Sequence, residues 1–154
     1  MIFSVKIKYN EETAHFAVEA DSYTIAEAMA HRAAKVIASE IYEIDSITKT
    51  QIKEVLLDSQ KDEIKYFKAK VSYMSVTDSG KVKKTKVTIL ISDRNISGAF
   101  NSSIDFASSF TDSAEVVGIE ETDMTDFFDE GLLLDLELVG QVKEMADNMM
   151  DDVF

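Results

Sequence analysis

The sequence predicts an α+β fold: two tandem β-β-α-β repeats that form antiparallel sheets covered by helices, followed by an acidic C-terminal tail. Three observations predict it. Segments of apolar–polar alternation occur in pairs, each pair runs into a stripe of apolar residues at helical spacing, and the series recurs at an offset of roughly 64–72 residues. The expected duplicated domain covers residues 1–124, with repeat one about 1–64 and repeat two about 65–124, and the tail covers 125–154.

The first strand of each repeat is the clearest match. Phe3-Ser4-Val5-Lys6-Ile7-Lys8-Tyr9 aligns with Phe67-Lys68-Ala69-Lys70-Val71-Ser72-Tyr73, with an aromatic at each end and lysine on the opposite parity. Phe3, Tyr9, Phe67 and Tyr73 share parity with valine and isoleucine, so they read as core. A polar turn follows each strand, then a second alternating run, Ala14 to Ala20 and Thr85 to Ser92. Thr24 and Glu27 form a capping-box pattern at the first helix, whose stripe is Ile25, Ala28, Met29, Arg32, Val36 and Ile37. The second stripe is Ile96, Ala99, Phe100, Ile104 and Ala107, in a serine-rich segment of weaker helix propensity. Glu43–Ile47 and Glu115–Ile119 close the repeats as strands. Segment 50–66 bridges them and adds a strand or a short helix; with no proline in the chain, its boundaries are unmarked. In the tail, Thr125–Gly131 reads as an acidic linker, and Leu134, Leu138, Val142, Met145 and Met149 read as a short amphipathic helix.

Charge divides the chain. Segment 112–154 sets 14 acidic residues against Lys143 alone, a net charge of −13 that equals that of the whole chain, while residues 1–111 carry 15 of each sign. An overall acidic chain ordinarily argues against a nucleic-acid partner, but here the body is neutral and locally basic. There are no cysteines, which excludes disulfides and thiolate metal sites. No apolar run approaches the ~18 residues of a spanning helix, and Met1–Lys6 alternates like a strand instead of following the plan of a signal peptide. The expectation is a cytoplasmic protein.

Candidate binding residues lie on the strands. A hairpin joining the two strands of the second repeat gathers Lys65, Lys68, Lys70, Lys81, Lys83, Lys84 and Lys86 on one β-ribbon, which could neutralise phosphates and release their counterions. Lys6 and Lys8 project from the equivalent wet face of the first repeat. Tyr66 shares parity with Lys68 and Lys70 and is the best stacking platform for an unpaired base; Tyr23 and Arg94, at the two helix starts, could line a groove. The same lysines also fit a plainer reading, as solvated charges that keep strand edges from aggregating. The tail likewise has two readings: an interaction arm, or a solubilising terminus with Met149, Met150 and Phe154 packed on the domain.

Catalytic signals are thin. His15 and His31 are the only histidines and sit in no ligand or nucleophile pattern; five glycines form no phosphate loop; and Asp123, Asp126, Asp129 and Glu130 lack the alternate-residue spacing of a calcium loop. The expectation is a protein that is not an enzyme and needs no metal or cofactor.

Two resemblances extend this reading. The final Asp151-Asp152-Val153-Phe154 resembles the acidic tip of bacterial and phage single-stranded-DNA-binding proteins, which implies that these four residues recruit replication proteins. Residues 1–124 resemble a family of small uncharacterised proteins from Bacteroidales and their crAss-like phages. The carriers are the opening strand of both halves, Asp21-Ser22-Tyr23-Thr24-Ile25-Ala26-Glu27-Ala28, and Lys83-Lys84-Thr85-Lys86-Val87-Thr88-Ile89-Leu90. That resemblance implies a role in phage replication. The expected function is therefore non-catalytic binding of single-stranded DNA during replication or recombination. Its rivals are a protein-interaction module (a phage adaptor or virion component) and a DNA-mimic inhibitor. The choice between DNA and RNA stays open, as does self-pairing through an exposed sheet edge.

Overall fold

The computed structural model describes residues 1–38, 41–57 and 63–151. They form an α+β fold of eight strands and three helices in two compact units: Phe3–Lys49 with the described residues from Phe127, and Thr50–Asp126. Each unit holds a four-stranded sheet. Among the described residues no helix is long and apolar enough to cross a membrane.

In the first unit, β1 (Ile2–Tyr9) and β2 (Glu12–Glu19) form a hairpin closed by Asn10 and Glu11. Both have positive φ, 49° and 63°, the conformation of a type I′ turn whose twist matches that of the flanking strands. β3 (Glu43–Lys49) pairs antiparallel with β1, from Phe3 opposite Lys49 to Lys8 opposite Glu43, with a bulge between Lys6 and Ile7. The sheet order is β3-β1-β2-β8, where β8 is Asp126–Phe128. Phe3, Val5, Ile7, Phe16 and Val18 are buried beneath α1 (Tyr23–Ala38).

The cap and the face of α1 differ from expectation. The Ser22 hydroxyl, not Thr24, accepts the Ile25 N–H at 3.2 Å, and the Ser22 carbonyl accepts the first helical bond, from Ala26. The buried residues are Ala26, Met29, Ala30, Ala33 and Ala34, while Ile25 and Val36 are 45% and 43% exposed. Alanines let a helix axis approach the sheet closely, so the packed stripe is set by small side chains and not by the largest apolar ones.

The second unit is built on a long ribbon. β5 (Lys65–Val76) and β6 (Val82–Asp93) pair antiparallel without a break, from Lys65 opposite Asp93 to Val76 opposite Val82. Gly80, at φ 82°, supplies the left-handed residue of the connecting turn. β7 (Glu115–Glu121) flanks β5, and β4 (Ile52–Leu56) runs parallel beside β6, giving the order β4-β6-β5-β7. The bridge between the expected repeats therefore contributes a strand. The order of elements β1-β2-α1-β3 recurs as β5-β6-α2-β7, with three strands arranged alike in each sheet.

α2 (Ile96–Phe110) is capped by Asn95, whose side-chain oxygen accepts the Gly98 N–H at 2.9 Å. A Cβ at position 98 would lie within 2.6 Å of the Asp93 carboxylate, so a larger residue here displaces that side chain, whose Oδ1 accepts the Arg94 N–H at 2.6 Å. Ala99, Ser103 and Ala107 face the sheet, and Ile96, Phe100 and Ile104 are largely exposed. As in α1, the expected stripe is displaced towards small residues. The second core joins Phe67, Ala69, Val71, Ile89 and Ile91 to Ala99 and Ala107.

The segment expected to be an acidic linker is structured. Phe127 and Phe128 are buried, and the Phe128 ring meets Phe16 edge-on with centroids 5.5 Å apart. The Asp129 side chain then accepts the Leu132 N–H at 2.8 Å and caps α3 (Glu130–Asp151). Leu133 is fully buried in the first core. Arg32 of α1 ties α3 down: Nη1 donates to Glu130 at 2.7 Å and Nε to Glu137 at 3.0 Å, with a further Nη2 contact to Glu137. Those bonds, to Glu137 first and Glu130 second, hold the guanidinium pKa above its ordinary value.

Asp126 is half-buried, and burial pushes its carboxyl above the ordinary range, partly opposed by the Thr125 hydroxyl donating at 3.0 Å. The folded chain thus keeps this proton at a pH where the unfolded chain has released it. Stability therefore falls as the pH rises above about 4, the fall is complete once the pH passes the folded value, and the cost disappears below about pH 4, where both states are protonated. Asp126→Asn is expected to raise the melting temperature by about 1–3 °C at pH 7 and to leave it unchanged at about pH 3. An equal shift at both pH values, measured by circular dichroism, would show that ionisation plays no part.

Candidate nucleic-acid interface

The register of the β5–β6 ribbon sorts its lysines by face. Residues directly opposite one another point to the same side of a sheet, and side chains alternate along each strand. Phe67, Ala69 and Val71, with Ile91, Ile89 and Val87 opposite, make the face covered by α2. The other face carries Tyr66, Lys68, Lys70, Ser72 and Met74 from β5, with Ser92, Leu90, Thr88, Lys86 and Lys84 opposite. Four of the seven expected lysines therefore share one face: Lys68, Lys70, Lys84 and Lys86. Same-side residues recur about every 6.8 Å along a strand, so two adjacent strands present a short two-column array of ammonium groups.

The other three lysines stand elsewhere. Lys65 and Lys83 fall on the α2 side of the register, and Lys65 lies 3.7 Å from Glu121. Lys81 sits in the turn. Arg94 follows β6 at the mouth of α2 and is exposed. In the first unit, Lys6 and Lys8 project from the face opposite α1, and Lys8 pairs with Asp45 at 3.4 Å. Tyr23 opens α1 on the core side of that sheet, its ring edge against Phe3 with centroids 6.4 Å apart, so it does not share a face with Lys6 and Lys8. His15 bonds Ser4 at 2.5 Å, and His31 bonds the Tyr42 hydroxyl at 2.8 Å. Asp152, Val153 and Phe154 of the expected partner-binding tip lie outside the described residues, and Asp151 is described only as the last residue of α3.

Local shape and charge are uneven along the basic face. Gly118 of β7 stands opposite Lys70, and with no side chain there a depression of about 200 Å³ opens, lined by Lys68, Lys70, Gly118, Ile119 and Glu120. Glu120 stands opposite Lys68 and offsets the positive field at that end. Towards the turn Lys86 faces Ser72, with Glu115 of β7 beyond it in the same row, and Lys84 faces Met74. There Met74, Val76 and Val82 are 53%, 73% and 67% exposed on the same side. These three apolar residues were not among the candidates from sequence, although their parity with Lys68, Lys70 and Lys84 marks them. Tyr66 keeps its place on the basic face but is half-buried, two residues beyond Lys68.

The chain belongs to the family described as Domain of unknown function (DUF4494), whose model matches residues 1–130. That match covers all eight strands, α1 and α2, and it ends where α3 begins. No curated protein matches the chain.

Proposed function

We propose that this protein binds single-stranded DNA without sequence preference and without catalysis, on the face of the β5–β6 ribbon turned away from α2, centred on its turn end where Lys70, Lys84 and Lys86 are exposed. The observation that carries the reading is the convergence of Lys68, Lys70, Lys84 and Lys86 on one face of an unbroken twelve-residue antiparallel pairing. Lysines in such an array contact phosphates. Met74 and Val82 offer apolar surface to bases at one end, and Tyr66 a ring at the other. Leu90, Ser72 and Ser92 on this face are buried, so the surface offered to unpaired bases is the exposed one near the turn.

The setting we propose is phage-type replication or recombination in the bacterial cytoplasm. It is supported by the likeness of the body to small Bacteroidales and crAss-like phage proteins, and by the likeness of the Asp151-Asp152-Val153-Phe154 tip to that of single-stranded-DNA-binding proteins. In this reading the tip recruits replication enzymes while the ribbon holds the strand.

The test is fluorescence anisotropy of a labelled thirty-nucleotide oligothymidine titrated with the full chain. Four lysine–phosphate contacts at about 0.7 each give a slope of log K against log salt of about −2.8, so a fourfold rise in salt weakens binding about 50-fold. Absence of binding at about 20 mM salt, where counterion release favours any phosphate contact, rejects the proposal and leaves a protein-interaction module as the reading.

A further inference from the structure

α3 has two faces, and among the described residues one of them is packed against the rest of the first unit while the other is exposed. At 3.6 residues per turn, Leu133, Glu137, Gly140 and Glu144 fall on one side. That side meets the first unit: Leu133 is buried, Glu137 bonds Arg32, and Gly140 and Glu144 line a groove with Arg32, Lys35 and Val36. Leu138, Val142, Met145 and Met149 fall within about 60° of one another on the opposite side. They are 57%, 66%, 64% and 68% exposed. Leu134, Val139 and Ala146 widen this stripe.

We propose that this stripe is the contact through which two copies of the chain pair, with their α3 helices antiparallel. Three features select a second copy as the occupant. The first is spacing. The steps from Leu138 to Val142, Met145 and Met149 are four, three and four residues, which read the same in both directions. A two-fold axis passing between Lys143 and Glu144 therefore sets Leu138 against Met149 of the second copy, and Val142 against Met145. Such self-complementarity is what an isologous interface requires.

The second feature is charge. A foreign groove rimmed by lysine or arginine would need acids beside the stripe. Here Glu137, Glu144 and Asp147 lie on the far face, and the flanking residues are Gln141 and Asn148 on one side and Val139 and Ala146 on the other. In a pair the far-face acids stand more than one helix diameter apart, about 10–12 Å, beyond the Debye length of about 8 Å at physiological salt. Among the described residues Asp135 is the one acid on the stripe side, one turn outside the symmetric stretch. The third feature is area. Seven apolar side chains exposing on the order of 600 Å² per copy bury about 1,200 Å² in a pair, the lower edge of a specific interface. A patch of that size is also at the upper limit for a monomer surface. The proposal stands apart from nucleic-acid binding: a chain that ignores oligonucleotides can still pair.

Sedimentation velocity of the full chain, without nucleic acid, at about 1–300 μM tests it. A reversible monomer–dimer equilibrium is expected, with a dissociation constant of about 1–100 μM for an interface of this size, strengthened by added salt. Val142→Glu places a charge at the centre of the contact and is expected to weaken pairing at least 100-fold. Its thermal melt should match that of the parent, because Val142 is exposed within its own chain. The chain has no cysteine, so Leu138→Cys combined with Met149→Cys gives a direct reading of orientation. Oxidation is expected to join position 138 of one copy to position 149 of the other, identified by peptide mass spectrometry. A chain monomeric over the whole range overturns the proposal and assigns the stripe to a different protein. A dimer indifferent to Val142→Glu overturns it, as does linkage of 138 to 138 and 149 to 149.

Discussion

Truncation before Asp126 is expected to unfold the first unit, whereas truncation after Gly140 leaves it folded. Although the region is the most acidic part of the chain, its opening residues are core. Phe128 packs edge-on against Phe16, and Leu133 is fully buried. Losing a buried phenylalanine costs about 3–5 kcal/mol, and losing a buried leucine about 2–5. Together these approach the entire stability of a small domain, about 5–15 kcal/mol. Removing β8 also exposes β2 as a bare sheet edge, an invitation to aggregate. Beyond Gly140 the described side chains of α3 are exposed, so their removal costs the unit little. Circular dichroism melts of the two truncations, together with Phe128→Ala as a single-site control, check this. A chain ending at Thr125 that melts cooperatively within a few degrees of the parent would mean that β8 and α3 are ornaments on a complete core. Any experiment that removes the acidic tail must therefore cut after Gly140.

What the sequence made legible depended on which force sets each feature. Strand faces were readable because alternation is dictated by backbone geometry alone. Phe3, Val5, Ile7, Phe67, Ala69 and Val71 are buried as their parity requires. Helix faces were read only in part in both units, for one reason. A hydrophobic stripe weights Ile25, Val36, Phe100 and Ile104 heavily, but the surface that meets a sheet is set by how closely the backbones approach; Met29, Ala99 and Ala107 of the expected stripes are buried, joined by Ala26, Ala30, Ala33 and Ser103 in place of the larger residues. Charge count misled in the tail. Asp126, Asp129 and Glu130 surround Phe127-Phe128 and suggest a solvated linker, yet the adjacent phenylalanines and the Asp129 cap are the signals of a buried strand leading into a helix. β4 could not be placed, because its parallel pairing with β6 is decided by long-range register that leaves no local mark. The candidate site was half legible: the alternating segments brought seven lysines to one ribbon, but the separation of Lys68, Lys70, Lys84 and Lys86 from Lys65 and Lys83 rests on the paired register.

Replacing Lys68, Lys70, Lys84 and Lys86 together by glutamine is expected to reduce oligonucleotide affinity at least 100-fold at low salt and to flatten the salt slope by about 2.8. Replacing Lys65 and Lys83, which belong to the same ribbon but to its α2 side, should change affinity less than about 3-fold, since neither contacts the bound phosphates and distant charges are screened. The paired comparison matters because both variants lower the net positive charge of the ribbon. A protein attracting DNA only through its overall field would respond in proportion to the charge removed, four against two. A protein using one face responds almost wholly to the first set. The three exposed lysines of that set, Lys70, Lys84 and Lys86, should tolerate glutamine with little effect on the melting temperature. Lys68 is half-buried beside Glu120, so its replacement alone serves as a folding control. Equal losses per lysine from the two faces would remove the basis for a facial interface. Salt-independent binding that survives both variants would place any nucleic-acid contact away from the ribbon altogether.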